Sequence, residues 1–177
     1  MFRGLTLISL LAALAAPAAA RADTRLHAYD PDNDLARRLT QGITLEARKG
    51  LIGPWRLERL FSTRGRASAG LEPVSEDRVL RALPEGADET NVYRIDPEGD
   101  GAALGRALCP GADRVWLVAG RIRAVRDMTL HAVGQVRDAD PVLCATLEYR
   151  WRGEWRTPRQ AVDPARQPGA LSRMGGQ

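Results

Sequence analysis

In the second half of the chain, apolar and polar positions alternate at the two-residue period of a half-buried strand. Trp116, Val118, Ile122 and Ala124 share one parity and leave Arg121 and Arg123 on the other. Met128, Leu130, Ala132 and Val136 likewise leave Thr129, His131 and Gln135 opposite, and Leu143, Ala145, Leu147 and Tyr149 continue the apolar series. This pattern predicts an antiparallel sheet with one face in the core. The other face then carries Arg121, Arg123, Thr129, His131, Gln135, Glu148 and Arg150.

Between the strands the period changes. Leu35 with Leu39, and Leu104 with Leu108, are spaced by four, which gives two short helices one apolar stripe each. Asp34 and Asp100 stand where an N-cap carboxylate accepts from free backbone N–H groups, and Gly42 and Gly111 follow where the helices end. A third short helix is predicted over residues 75–83, with Val79, Leu80 and Leu83 on its apolar side and Pro84 closing it. The order strand, Asp-Pro, helix, glycine, strand occurs twice, at Asp30-Pro31 and at Asp96-Pro97. That recurrence predicts a duplicated β-α-β-β unit, with halves at about 23–72 and 90–157. The expected fold is therefore α+β: an antiparallel sheet built from two such repeats, the short helices packed on one face, and one disulfide.

The segment from Cys144 to Trp155 bears on the register. A three-residue loop at Trp151-Arg152-Gly153 would pair Arg150 with Glu154, Tyr149 with Trp155 and Glu148 with Arg156, matching two opposite-charge pairs and one aromatic pair. On that reading Tyr149 and Trp155 are core, and Trp151 sits at a hairpin tip beside Arg152, where an exposed aromatic and an arginine make a binding anchor.

Composition alters this picture at the ends of the chain. Residues 1–22 carry Arg3, an apolar run rich in alanine, and Ala20-Arg21-Ala22, the pattern of a cleaved secretory signal. The run is too short and too alanine-rich for a stable membrane span, so a mature chain beginning at Asp23 is expected in the periplasm or outside the cell. Residues 158–177, rich in proline and glycine and without periodicity, read as a disordered tail. Loss of Arg3 and Arg21 lowers the net charge from +4 to +2, and every basic residue except Lys49 is arginine. A net charge of only +2 makes the high pI a poor argument for nucleic acid, so no nucleic-acid partner is expected. The excess of arginine over lysine is compositional bias, which weakens any reading that singles out one arginine.

Cys109 and Cys144 fit a disulfide in an oxidising compartment. With only His27 and His131 besides, they lack any metal-ligand spacing. Asp30, Asp32 and Asp34 open like a calcium loop, but Leu35 and Gln41 stand where that loop needs glycine and glutamate. Gly99, Gly101 and Gly105 do not give the dinucleotide spacing, and Asp96, Glu98 and Asp100 would repel phosphate. No cofactor or metal is expected. No motif marks an activated serine, and no spacing recommends Glu58, Glu72 and Glu148 as glycosidase carboxylates.

The function these residues favour is an exported, non-enzymatic binding module for a protein or cell-envelope component. Its candidate binding residues are Trp151, Arg152, His131, Arg121, Arg123 and Glu148. The alternative is a small envelope hydrolase with a site on the polar sheet face around His131, the one strand histidine on that face.

Overall fold

The computed structural model describes residues 23–49 and 53–156; the expected signal segment at 1–22 and tail at 158–177 lie outside them. The alternating runs do form antiparallel strands, but the sheet closes on itself. Strands β1 (Asp23–Pro31), β2 (Ile43–Lys49), β3 (Arg56–Ser62), β4 (Ser68–Val74), β5 (Asn91–Ile95), β6 (Arg114–Ala119), β7 (Met128–Gln135) and β8 (Val142–Arg156) follow one another in chain order round a closed barrel, with β8 paired to β1. This corrects the α+β expectation of an open sheet with helices on one face.

The helices sit elsewhere. Helices α1 (Asp34–Leu39) and α3 (Asp100–Leu108) occupy the β1–β2 and β5–β6 connections, which the up-and-down topology brings to the same end of the barrel. There Ala36, Leu104 and Leu108 join the interior cluster and close that end. Helix α2 (Asp77–Leu80) instead lies on the outside of the wall, where Val79 packs with Val92, Trp116, Val118 and Val133. The caps differ from expectation too. Asn33, not Asp34, caps α1, its side chain accepting from the Ala36 N–H at 2.8 Å. Gly99, with φ 55°, precedes α3 and offers no side-chain cap. The three aspartates that resembled a calcium loop are each spent on a different arginine: Asp30 on Arg152, Asp32 on Arg150 and Asp34 on Arg37.

An eight-stranded barrel has an interior just wide enough for side chains to fill. Here Ile43, Leu45, Leu57, Leu60, Leu117, Leu130, Leu147 and Tyr149 are among its fully buried members. Strand β6 shows why its parity could not be read: Val115, Leu117 and Ala119 point inward, while Trp116 and Val118 point outward beneath the α2 segment, so both faces are apolar. The core positions expected at Leu143 and Val136 are 38% and 49% exposed, and Gln135, expected on the open face, is buried with its amide donating to the Ala139 carbonyl.

The expected hairpin at Trp151-Arg152-Gly153 does not form. Strand β8 runs straight through these residues for 15 positions, and its second half pairs with β1 instead of folding back. Trp151 therefore packs against the interior, and Trp155, expected in the core, is 50% exposed.

Cys109 and Cys144 are joined in a disulfide, Cα to Cα 5.3 Å, which fastens the end of α3 to the start of β8. Gly134 on β7 makes room for it: a Cβ there would stand 2.9 Å from the Cys144 sulfur and 3.0 Å from the Cys109 Cβ.

Candidate functional site

With α1 and α3 closing one end, the other end is the mouth, formed by the start of β1, the end of β8 and the β2–β3, β4–β5 and β6–β7 connections. Alternation along β1 sends Arg25, His27 and Tyr29 inward on the side of Ala47, Leu45 and Ile43, their cross-strand partners on β2. The core thus changes from apolar to polar as the strand approaches the mouth.

A β-bulge decides what faces His27. The β1–β8 register shifts between Ala28 and Tyr29: Tyr29 lies opposite Trp151, Ala28 opposite Gly153, and Arg152 is the extra residue. An extra residue reverses the parity of everything beyond it. Trp151 therefore points inward, but so does Glu154, while Trp155 is turned out beside Leu26.

Glu154 accepts from the Arg25 guanidinium, and its second oxygen stands 3.9 Å from His27 Nδ1. Trp55 and Trp151 flank the imidazole at ring-centre distances of 5.9 and 5.5 Å. Tyr29 meets Trp151 edge-on at 5.4 Å, and Arg25 lies 4.9 Å from the centre of the Trp55 ring. His27 is only 2% exposed, yet neither of its ring nitrogens has a hydrogen-bond partner among the described residues.

Burial holds the His27 imidazole below its ordinary range; Glu154 opposes this and Arg25 reinforces it. The ring is thus neutral near pH 7, with one N–H donor and one acceptor nitrogen unused. Burial, followed by the carboxylates of Asp127 and Glu154, holds the Tyr29 phenol above its ordinary range, so it remains an O–H group.

Beside this cluster the rim opens into a cleft of about 560 Å³. Its apolar lining is Tyr29, Ile122 and Met128, and Arg121, Arg123 and Arg126 stand around it with Asp88, Glu89 and Asp127. The cleft adjoins the His27 cluster through Tyr29, which lines it and touches Trp151, and through Asp127, which accepts the Trp151 backbone N–H at 2.8 Å; His27, Trp55 and Trp151 do not themselves line it.

The candidates from the sequence divide between this mouth and the outer wall. Arg121 and Arg123 lie in the β6–β7 connection rather than on a strand, and both line the cleft. Trp151 reaches the same mouth from inside the barrel. Arg152 is exposed at the bulge, 3.5 Å from Asp30, and Glu148 is exposed on the outer face of β8 opposite Thr129.

His131 is also on the outer face, but it is only 4% exposed. Its Nε2 lies 3.1 Å from the Glu89 carboxylate and its Nδ1 3.0 Å from the Thr146 hydroxyl. With both nitrogens engaged, it clips the β4–β5 connection to the wall. Sequence reasoning missed His27, Arg25, Trp55, Glu154 and Arg126. The available signal was a histidine inside the apolar run Leu26-His27-Ala28-Tyr29.

Among the described residues, no group of three or more His, Cys, Asp or Glu side chains comes together to hold a metal ion. No protein-family model matches the chain, and neither does any curated protein or solved structure.

Leaving a buried donor unpaired costs about 1 to 3 kcal/mol, whereas an apolar replacement is close to neutral. We therefore expect His27→Leu to leave stability at pH 7.5 unchanged or raise it by about 1 kcal/mol. The variant should differ most on the acid side. An imidazole whose folded pKa is depressed binds its proton more readily in the unfolded chain, so wild-type stability falls as pH drops below about 6.5. Denaturant titrations at pH 7.5 and pH 5 should show this loss in the wild type and a smaller one in His27→Leu; equal losses would contradict the assignment.

Proposed function

We propose that this chain is an exported, non-enzymatic binding module that takes a small ligand at the open mouth of its barrel. The observation that carries the reading is His27: a buried imidazole with both nitrogens unpartnered, set among Tyr29, Trp55 and Trp151 and beside the Arg25–Glu154 ion pair. Trp116 Nε1 and Gln135 Oε1 are also unmet, but on the outer wall. Among the described residues the unmet buried groups at the mouth are those of His27, where such a group calls for a partner, and barrel mouths are common places for small-molecule sites. A cleft of about 560 Å³ is within the size range of such sites.

Export is supported by the signal-like pattern of residues 1–22 and by the Cys109–Cys144 disulfide, since such bonds persist in oxidising compartments. The outer wall favours water over lipid: outward positions on β2, β3 and β8 carry Glu46, Arg48, Arg59, Glu148 and Arg150, where a membrane-spanning barrel has an apolar band. Binding is preferred to the hydrolase alternative because His131 is buried beneath the β4–β5 connection with both ring nitrogens engaged, by Glu89 and by Thr146.

A thermal-shift screen of small molecules tests the proposal when run in parallel on the wild type and on Thr129→Trp, since Thr129 lines the cleft beside Met128 and an indole there would obstruct it. Compounds present at 100 times their Kd should raise the wild-type melting point by about 5 °C or more and lose that effect in the variant. Hits that act equally on both chains, or no hits at all, would sink it.

A further inference from the structure

The mouth is not evenly charged in what it leaves free. Among the three acids on the cleft, Glu89 is held by His131, and one oxygen of Asp127 accepts the Trp151 N–H. Of the three arginines, Arg121, Arg123 and Arg126, none forms an ion pair among the described residues. Asp88 and Asp127 keep their charge, because a backbone N–H does not neutralise a carboxylate, but an entering anion finds three guanidinium groups with their donors unspent. Guanidinium forks match the paired oxygens of carboxylates and phosphates.

Part of the cleft wall has a different chemistry. Its lining there is Tyr29, Ile122 and Met128, and behind Tyr29 the rings continue through Trp151 and His27 to Trp55 at centre distances between 5.4 and 5.9 Å. Edge-to-face and offset arrangements at 4.5–7 Å are those that aromatic rings prefer. A further ring that enters over Tyr29 extends an aromatic series already in place.

Resting on the binding function above, we infer that the ligand is a small aromatic anion: one or two fused rings seated toward Tyr29 and Trp151, with a carboxylate or phosphate group among Arg121, Arg123 and Arg126. The ring series behind Tyr29 favours an aromatic body over a bare inorganic anion. The free arginines in turn disfavour a neutral ring.

Calorimetric titration of the exported chain with four probes separates these requirements: 2-naphthoate, 1-naphthyl phosphate, neutral 2-naphthol and inorganic phosphate. The two ring acids should bind at least about tenfold more tightly than 2-naphthol, a difference of about 1.4 kcal/mol, and inorganic phosphate should bind more weakly than either. Comparing the two ring acids shows whether carboxylate or phosphate is preferred.

In the triple variant Arg121→Gln, Arg123→Gln, Arg126→Gln the preference for the acids should vanish, while 2-naphthol binding and the melting point stay unchanged. If 2-naphthol binds the wild type as tightly as the acids, the anionic requirement is overturned and the mouth remains a binding site. If inorganic phosphate matches the ring acids, the aromatic requirement is overturned. If no ring probe binds at all, the binding reading of the mouth falls with the inference.

Discussion

Trp151→Ala should lower stability by about 2 to 4 kcal/mol, and Trp155→Ala by about 1 kcal/mol or less. The asymmetry follows from barrel closure. Trp151 points inward, in contact with Tyr29 and His27, whereas Trp155 lies beyond the bulge at Arg152, half exposed on the outer face over Gly153. If β8 turned back at Trp151 as a hairpin, the order would reverse, with Trp155 buried and Trp151 at the tip. Chemical denaturation of the two variants therefore reports on how the last strand pairs, and a larger loss for Trp155→Ala would contradict the β1–β8 pairing.

The second large effect is expected at the disulfide. Cys109 is fully buried at the end of α3, and Cys144 is exposed at the start of β8, 35 residues away. Closing a loop of that length restricts the unfolded chain by an amount worth on the order of 4 kcal/mol, and removing a native bridge from a small domain costs about 2 to 5 kcal/mol. Cys144→Ser should lose stability in that range, and the wild type under full reduction should lose a similar amount. Because α3 closes the end of the barrel remote from His27, mouth binding in the reduced chain should persist wherever the chain remains folded. A Cys144→Ser variant as stable as the wild type would mean that the bridge adds nothing to the fold.

Much of the local structure was legible in the sequence because it depends on neighbours. The four-residue leucine spacings did mark α1 and α3, Val79 did mark a buried helical position, and Ala145, Leu147 and Tyr149 did share an inward face. The pairing of Cys109 with Cys144 was available from compartment chemistry and from the lack of any competing cysteine.

Closure was not legible. The β1–β8 pairing joins residues such as His27 and Glu154 that are more than a hundred positions apart, and no local pattern encodes that distance. The charge and aromatic matches that suggested a hairpin at Trp151 were instead distributed to other partners: Arg150 to Asp32, Glu154 to Arg25, and Trp151 to His27 and Tyr29.

The site was hidden for the same reason, with a second one added. A single bulge residue, Arg152, moves Glu154 inward and Trp155 outward, and its position cannot be read from alternation because it is an interruption of alternation. His27 lies in a run whose flanking Leu26 and Ala28 are apolar and point outward, so its inward direction is fixed only by pairing with β2 and β8. Arg121 and Arg123, by contrast, were singled out from the sequence, although for a strand face they do not occupy.

The four tryptophans offer the most direct test that the mouth around His27 is where this protein binds. Their indole N–H groups give four separate signals in a nitrogen-edited NMR spectrum. Two belong to the mouth, Trp55 and Trp151, while Trp116 is buried under α2 and Trp155 is on the outer wall. On titration with 2-naphthoate, the Trp55 and Trp151 signals should move together along one binding curve, and those of Trp116 and Trp155 should stay in place. Movement of Trp155 or Trp116 with Trp55 and Trp151 stationary, or no movement of any of the four, would contradict the account.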